Sequence, residues 1–312
     1  MYIYAAGIEN SKSELWANGL QPGQCSNAFW SYFYGGSSAK TGWLKEVSRG
    51  VERLIVDSGA HSFFTSNAPE LSATGRQQKE ERKRDPDQYF AQYLEWLMGV
   101  NEFISYFVEL DIGELVGQGK VMEWREILKK RGLWEKCITV YHPKIMTMDD
   151  YLSDLKESGS RYVALEGDRG YRARLDYLPL IRAAYDTGVR VHGFALCKQE
   201  VLAKYPFYSI DSVTWKSGPM YGRNIGWRKG RIQTLLMKRS GPKAGTQARC
   251  RGRLFSEILE GRSVSGILAN DTSKRASRLL YALMSFDMME EHYTELWKSR
   301  GVNWEAQINA CS

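Results

Sequence analysis

The sequence lacks any long hydrophobic run, and this absence excludes a class of protein. None of its apolar stretches approaches the roughly 18 to 20 residues that a membrane-spanning helix requires. Residues 1–7, MYIYAAG, also lack the basic and apolar regions of a secretory signal. We therefore expect a cytoplasmic protein with no membrane partner.

Cysteine is scarce as well, and the few cysteines are dispersed along the chain. No two of them have the two-residue spacing of a zinc ribbon, and their odd number argues against a disulfide framework. We expect reduced, mostly buried thiols. The five are Cys25, Cys137, Cys197, Cys250 and Cys311.

Acidic residues are absent from residues 216–253, which contain eleven lysines and arginines. These eleven charges exceed the net charge of the whole chain, +7, so the remainder is slightly acidic. Such a segment is either a solvated basic loop or a nucleic-acid footprint, and the aromatic residues in and beside it favour the second interpretation. The candidate nucleic-acid-binding residues are Trp215, Lys216, Arg223, Trp227, Arg228, Lys229 and Arg231.

Short β-rich runs recur along the chain and predict strands. They lie at residues 2–6, 28–34, 54–57, 104–111, 137–141, 162–165, 189–195 and 209–215. Helical patterns lie between several of them: residues 89–98 follow a capping Asp85 and Pro86, residues 151–157 follow Thr147, and a third pattern covers residues 175–187. This alternation predicts a (β/α)₈ barrel, with a doubly wound open sheet as the main competitor.

The last part of the chain predicts helices rather than strands. Residues 253–259 and 273–297 have helical patterns, and the second is amphipathic, as expected of a helix that packs on the barrel. We predict a catalytic barrel over residues 1–235 and a basic loop with a helical extension, packed on the barrel, over residues 236–312.

Polar residues gather where the predicted strands end. The carboxyl ends of barrel strands converge on one mouth, so these residues are candidates for an active site. Four of them also have an interpretation without an active site. These are an Asx turn for Asp57, a helix cap for Asp111, a buried imidazole for His142 and a rim charge for Glu166. The full set is Asp57, Ser58, Gly59, Glu109, Asp111, His142, Glu166, Gly167, His192 and Asp211.

Four segments of the sequence, which contain several of these residues, together resemble a known family. They are Asp57-Ser-Gly59, Leu110-Asp111, Val191-His-Gly-Phe-Ala195 and Tyr208-Ser-Ile-Asp-Ser-Val-Thr-Trp215. In this order, over residues 50–225, they are similar to the tRNA-guanine transglycosylase superfamily, which includes the DNA 7-deazaguanine transglycosylases of bacteria and phages. The resemblance implies exchange of a guanine in a polynucleotide for a free 7-deazaguanine, without strand cleavage and without a cofactor.

The resemblance also implies roles for individual residues. Asp211 resembles the nucleophile, Asp57 the general acid and base, and Asp111 a carboxylate that recognises the base. A separate hypothesis is that, if duplex DNA is the substrate, Trp215 or Trp227 stacks on the extruded base or fills its place. The remaining base-binding candidates are Ser58, Gly59, His142, Leu165, Glu166, Gly167 and His192.

The chain departs from the family pattern in three places. Residues 60–63, AHSF, stand where the family has glycine, phenylalanine and glutamine, and residues 164–166, ALE, replace its Gly-Gly-Leu. The region after the nucleophile offers only Cys250 and the distant His292, too few ligands for the three-cysteine-and-histidine zinc site of the tRNA enzymes, so we expect no structural zinc.

These departures leave alternatives open. DNA is favoured as the polymer and RNA is the alternative; a nucleic-acid-binding barrel without catalysis and a barrel glycosidase for small substrates are the others. The sequence leaves open whether the protein is a monomer or a homodimer. If a phage encodes it, its location is the host cytoplasm.

Overall fold

Eight parallel strands close into a barrel in the order in which they occur in the chain. The computed structural model describes residues 1–10, 25–67, 85–143, 145–166, 176–220, 224–228, 230–235 and 275–311. The predicted (β/α)₈ barrel is confirmed. Its strands are β1 (Tyr2–Ala6), β2 (Asn27–Ser31), β3 (Arg53–Asp57), β4 (Tyr106–Val108), β5 (Cys137–Tyr141), β6 (Tyr162–Leu165), β7 (Arg190–Gly193) and β8 (Ser209–Ser212).

Helices follow the strands and surround the barrel. In chain order they are α1 (Tyr32–Gly35), α2 (Ser38–Ser48), α3 (Ala60–Asn67), α4 (Pro86–Val100), α5 (Gly113–Val116), α6 (Gln118–Lys130), α7 (Met148–Glu157), α8 (Leu178–Asp186), α9 (Gln199–Lys204), α10 (Thr214–Met220), α11 (Arg275–Ser299) and α12 (Trp304–Cys311). Single 3₁₀ turns cover Ile8–Asn10, Asn101–Phe103 and Trp134–Lys136.

The predicted helix starts at α4 and α7 are confirmed by their caps. The Asp85 carboxylate accepts a hydrogen bond from the backbone N–H of Gln88, and Pro86 begins the helix, where its missing N–H costs nothing. Thr147 and Asp150 form a reciprocal capping box at α7. Because these caps satisfy N–H groups that have no partner within the helix, they fix where each helix begins.

Strands β2 and β8 are shorter than predicted, because the apolar residues that follow them form helices instead. Residues 32–35 form α1, and Trp215, predicted to end a strand, lies in α10. The Trp215 ring is fully buried, and its Nε1 donates to the backbone oxygen of Ala6 at the end of β1. Burial against the barrel rim therefore explains the apolar pattern that extended the strand prediction.

The described segments after α10 pack on one another and on the barrel. An antiparallel hairpin of β9 (Asn224–Arg228) and β10 (Arg231–Leu235) contacts α11, which also contacts α10 and β1. The predicted helix at residues 273–297 is confirmed as α11, whereas residues 253–259 lie outside the described residues. Within the described ranges, no helix combines the length and apolarity needed to cross a bilayer.

Helix α11 also contacts the amino ends of β1 and β2. The Glu290 carboxylate accepts hydrogen bonds of 2.7 Å from the backbone N–H of Ile3 and from Nδ2 of Asn27, at the starts of β1 and β2. The registered pairs of these two strands, Ala5 with Ala28 and Ala6 with Phe29, lie further along. Glu290 therefore bridges the strands where their own ladder has not yet begun.

Candidate active site

Three aspartates lie at the carboxyl-terminal end of the barrel. Asp57 ends β3, Asp211 lies in β8, and Asp111 follows β4 by three residues. They are close enough to interact, since the charges of Asp111 and Asp211 both raise the pKa of Asp57. The two acids expected to act together, Asp57 and Asp211, therefore share one mouth.

Asp57 is held in a state suited to proton transfer. Burial, reinforced by the charges of Asp111 and Asp211, raises its pKa to about 8, although the Gly59 backbone N–H donates to the carboxylate and works in the opposite direction. Gly59 has a φ of +81°, and a Cβ at this position would clash with that of Phe33. Only glycine therefore fits the turn that brings this N–H to Asp57.

Asp211 is oriented through one of its oxygens. Oδ1 lies 2.9 Å from the backbone nitrogen of Ala195, which donates to it, and 3.3 Å from Nε2 of His192. Ala195 has a φ of +52°, a left-handed conformation that costs a residue with a Cβ on the order of 1 kcal/mol. Strained backbone here contributes to holding the carboxylate in place.

His192 lies behind Asp211 and not in the cavity. Its ring is 0 % exposed, its Nδ1 is 2.6 Å from Oγ of Ser209, and it stacks on the ring of Phe29 at 5.6 Å between centroids. The expectation that His192 contacts the base is therefore corrected, because the imidazole is covered by protein and reaches the mouth only through Asp211. The sequence pattern of β7 does not show that the His192 ring is fully buried.

Asp111 forms a second charged group with His142 and Glu166. Nε2 of His142 is 3.3 Å from Oδ2 of Asp111, and Nδ1 is 3.1 Å from Oε2 of Glu166. Burial opposes protonation of His142, but the two acids outweigh it and raise its pKa to about 10. Burial raises the pKa of Asp111, and His142 opposes that rise. An imidazolium between two carboxylates is the resulting charge state at neutral pH.

Among the described residues, the group that contains His142 and Glu166 also offers ligands for a metal ion. Ligand atoms of Glu114, His142 and Glu166 lie within 4.8 Å of one another. One imidazole and two carboxylates suit a divalent cation, but Glu114 is exposed, and a proton on His142 already satisfies the neighbouring acids.

Glu9 is a further acid at the mouth that the sequence analysis missed. It follows β1, is 2 % exposed, and has a pKa raised by burial, while its Oε2 has no hydrogen-bond partner among the described residues. Its charge contributes to the raised pKa of Asp57. The residue stands three positions beyond Ala6, the last residue of β1, so a search confined to strand ends passes over it.

The other predicted base-binding residues have mixed positions. Ser58 is 0 % exposed and, like His192, is covered by protein, and its Oγ has no hydrogen-bond partner in the described part of the chain. Leu165 is buried in β6, where its backbone oxygen already accepts from the N–H of Phe194. Gly167 lies outside the described residues.

Glu109, in the initial list, is part of the scaffold. Its carboxylate forms hydrogen bonds of 2.6 and 2.7 Å with the buried Arg125 guanidinium and accepts another from the N–H of Val140. Arg125 in turn contacts Asp154 on α7. With both oxygens bonded to the protein, Glu109 is a structural residue and not a substrate ligand.

The predicted nucleic-acid-binding residues need one correction. Trp215 is 0 % exposed and Trp227 4 % exposed, the latter against Tyr293 of α11, so neither ring is free to stack on a base. Lys216 donates from Nζ to the backbone oxygen of Gly7, which holds α10 to the end of β1. Arg231 is exposed at the start of β10.

The rest of the basic segment is not described by the structure. Arg228 ends β9, but its side chain, together with Arg223 and Lys229, lies outside the described residues. The prediction of a nucleic-acid footprint therefore remains a prediction.

Two comparisons with known proteins do not identify a family. No protein-family model matches the chain, and no curated protein matches it. The chemistry of the site therefore has two main elements: Asp57, with a pKa of about 8, and Asp211, whose Oδ1 is contacted by the N–H of Ala195 and by Nε2 of His192.

Proposed function

We propose that the protein is a pentosyltransferase that exchanges guanine in DNA for a free 7-deazaguanine base. In the first step an oxygen of Asp211 attacks C1′ of a 2′-deoxyguanosine residue, and the C1′–N9 bond breaks. The electron pair passes to the purine, which takes the proton of Asp57 and leaves as neutral guanine. The polynucleotide is then held covalently as a glycosyl ester of Asp211.

The second step reverses the first with a different base. The incoming 7-deazaguanine gives its N9 proton to the Asp57 carboxylate, and N9 attacks C1′. The C1′–O bond to Asp211 breaks, which restores the carboxylate. Protons and electrons therefore balance over the cycle, and no cofactor is needed for either step.

The observation that carries this proposal is the contrast between the two aspartates. Asp57 has a pKa of about 8, so at neutral pH it has a proton to give, as a general acid requires. Oδ1 of Asp211 accepts a hydrogen bond from the N–H of Ala195 and lies 3.3 Å from Nε2 of His192, which leaves Oδ2 for a nucleophilic role. A carboxyl that gives a proton, paired with a carboxylate that attacks, characterises double-displacement glycosyl transfer.

The base and the polymer are assigned from further features. Asp111, beside the His142 imidazolium, can accept hydrogen bonds from the amino and ring N–H groups of guanine. The acid-free basic segment supports a polyanionic substrate rather than a free nucleoside. The resemblance to DNA 7-deazaguanine transglycosylases, with too few zinc ligands after the nucleophile, favours DNA over RNA.

Guanine exchange on defined polymers tests the proposal. Release of radiolabelled guanine from duplex DNA and from RNA, in the presence of 7-deazaguanines, would be measured for the wild type and for Asp211→Asn and Asp57→Asn. We expect release from DNA by the wild type and at least about 100-fold slower release by both variants. Asp186→Asn, an exposed change at the amino end of the barrel, is the matched control and should react normally.

Each result has a definite meaning. Exchange with RNA alone would reassign the polymer to RNA. Binding of DNA by the wild type without release of guanine from either polymer would overturn the proposal in favour of a nucleic-acid-binding barrel. Denaturing mass spectrometry should detect the Asp211 adduct, with a mass equal to protein plus oligonucleotide minus guanine.

A further inference from the structure

A chain of buried polar groups leads from the barrel interior to Asp211. The Tyr162 hydroxyl contacts Oγ of Ser209, Oγ of Ser209 is 2.6 Å from Nδ1 of His192, and Nε2 of His192 is 3.3 Å from Oδ1 of Asp211. Tyr162 is 1 % exposed, and Ser209 and His192 are 0 % exposed. Because these three are closed to solvent, they act on a substrate only through Asp211.

With Asp211 ionised and the imidazole of His192 neutral, the direction of every hydrogen bond in this series of groups is fixed. An ionised carboxylate only accepts, so the proton on His192 must be on Nε2. The bare Nδ1 then accepts from the hydroxyl of Ser209, and Ser209 Oγ accepts from Tyr162. A single arrangement of protons satisfies all four groups, with every donor pointing towards Asp211.

Aromatic rings fix the plane of the imidazole. His192 stacks on Phe29 with an angle of 4° between the rings, and it meets Tyr4, Tyr162 and Phe194 edge to face. The ring therefore has little freedom to rotate, and Nε2 keeps its direction. Ala195 and His192 both donate to the same oxygen, Oδ1, of Asp211.

We propose that His192 is a positioning residue for Asp211, set in its tautomer by Ser209 and Tyr162, so that Oδ2 is the oxygen directed at the sugar carbon. The inference rests on the proposed function for its consequence in rate. The imidazole neither touches substrate nor accepts a proton; it holds the nucleophile in the attacking orientation. A displacement of about 1 Å in such a group costs on the order of 100-fold in rate.

Substitutions along this series of hydrogen-bonded groups should lower the rate of guanine release to different degrees. His192→Leu removes the donor and should lower the single-turnover rate of guanine release about 100-fold with KM nearly unchanged. His192→Gln places an amide N–H near the position of Nε2 and should restore part of that rate. Ser209→Ala should have an intermediate effect, because the imidazole then has no partner that selects its tautomer, and Tyr162→Phe a smaller one.

The protein offers matched controls for the two hydroxyl changes. Ser285, also fully buried, bonds to Tyr281 and Trp227, and Tyr151 donates to the backbone oxygen of Leu180. Ser285→Ala and Tyr151→Phe should lose comparable stability and keep the wild-type rate. Equal rate losses in these controls, or a His192→Gln rate as low as that of His192→Leu, would overturn the positioning role.

A tautomer measurement separates failure of this inference from failure of the proposed function. In protein with ¹⁵N-labelled histidine, the His192 signal, identified by its loss in His192→Gln, should show a protonated Nε2 and a bare Nδ1. Ser209→Ala should produce a mixture of tautomers. A proton on Nδ1, or on both nitrogens, would overturn the inference even if exchange occurs; a wild type that exchanges no guanine but shows the expected tautomer would overturn only the proposed function.

Discussion

The backbone N–H of Ala195 donates a 2.9 Å hydrogen bond to Oδ1 of Asp211, and Ala195 does so from a left-handed conformation with a φ of +52°. Non-glycine residues in this region occur where surrounding contacts determine the backbone, and they cluster at functional sites. The strain at Ala195 is therefore best explained by the bond it makes to the proposed nucleophile.

Changing Ala195 should separate strain from function. Glycine adopts this conformation freely, so Ala195→Gly should leave the free energy of unfolding unchanged or raise it by up to about 1 kcal/mol, with exchange retained. Valine is β-branched, so Ala195→Val should destabilise the protein by more than about 1 kcal/mol and slow guanine release as the backbone N–H moves. Urea unfolding and single-turnover kinetics measure the two effects, and an Ala195→Val variant as active as wild type would count against the role of this bond.

Asp57 should make the stability of the protein depend on pH. Its pKa is raised from 3.8 to about 8, so its stabilising contribution is fully present below about pH 4 and is lost as pH rises through 8. Asp57→Asn should therefore be more stable than wild type at pH 9, by about 1 to 3 kcal/mol, with little difference at pH 4. Thermal melting across this range measures the difference; a constant difference at all pH values would refute the raised pKa.

The same pKa predicts the pH dependence of the reaction. In the proposed reaction guanine release needs the protonated form of Asp57, so the single-turnover rate should fall as pH rises through about 8. Rates measured between about pH 6 and pH 10 on one DNA substrate check this. A rate that increases over the same interval would assign the proton to another group.

Glu290 should also make the stability of the protein depend on pH. Burial raises its pKa to about 7, so the stability that it contributes is present below about pH 4.5 and is lost as pH rises through 7. Glu290→Gln keeps an acceptor for Ile3 or Asn27 without the charge and should be relatively more stable above pH 7. Glu290→Ala leaves both donors without this acceptor and should cost about 1 to 3 kcal/mol at every pH, as urea unfolding at several pH values would measure.

Trp227 should affect stability and not polymer binding. Its buried ring packs on His292 and Tyr293, and its backbone N–H donates to Ser285. Trp227→Ala should cost about 3 to 5 kcal/mol, whereas Trp227→Phe, which keeps an aromatic ring, should bind DNA like wild type. Fluorescence anisotropy with labelled DNA checks the second expectation, and weaker binding by a folded Trp227→Phe variant would restore the stacking hypothesis.

The sequence predicts the barrel well because strand length and alternation are local properties. The bounds of β1, β5 and β6 agree with the predicted runs, while β8 ends at Ser212, three residues before the predicted limit at Trp215. A buried tryptophan has the same pattern in a strand or in a helix that packs on the barrel rim. Contacts made far away in the chain, here with Ala6, decide between them.

The candidate site is predicted less completely, because depth and distance are not local. The sequence places Asp57, Asp111 and Asp211 near strand ends, where the structure has them. It does not show that His192 lies behind Asp211 or that Glu9, beyond its strand, returns to the mouth. Both positions depend on how the barrel closes around them.

The two hydrogen bonds from Trp215 and Lys216 to the end of β1 span 209 residues each. Strand β8, which contains Asp211, is thus held to β1, although the two are the last and the first strands of the barrel. During translation the proposed nucleophile has no assembled site until nearly the whole barrel has left the ribosome, and such long-range closure folds slowly. Under the proposed function, partial chains that lack β8 should accordingly exchange no guanine.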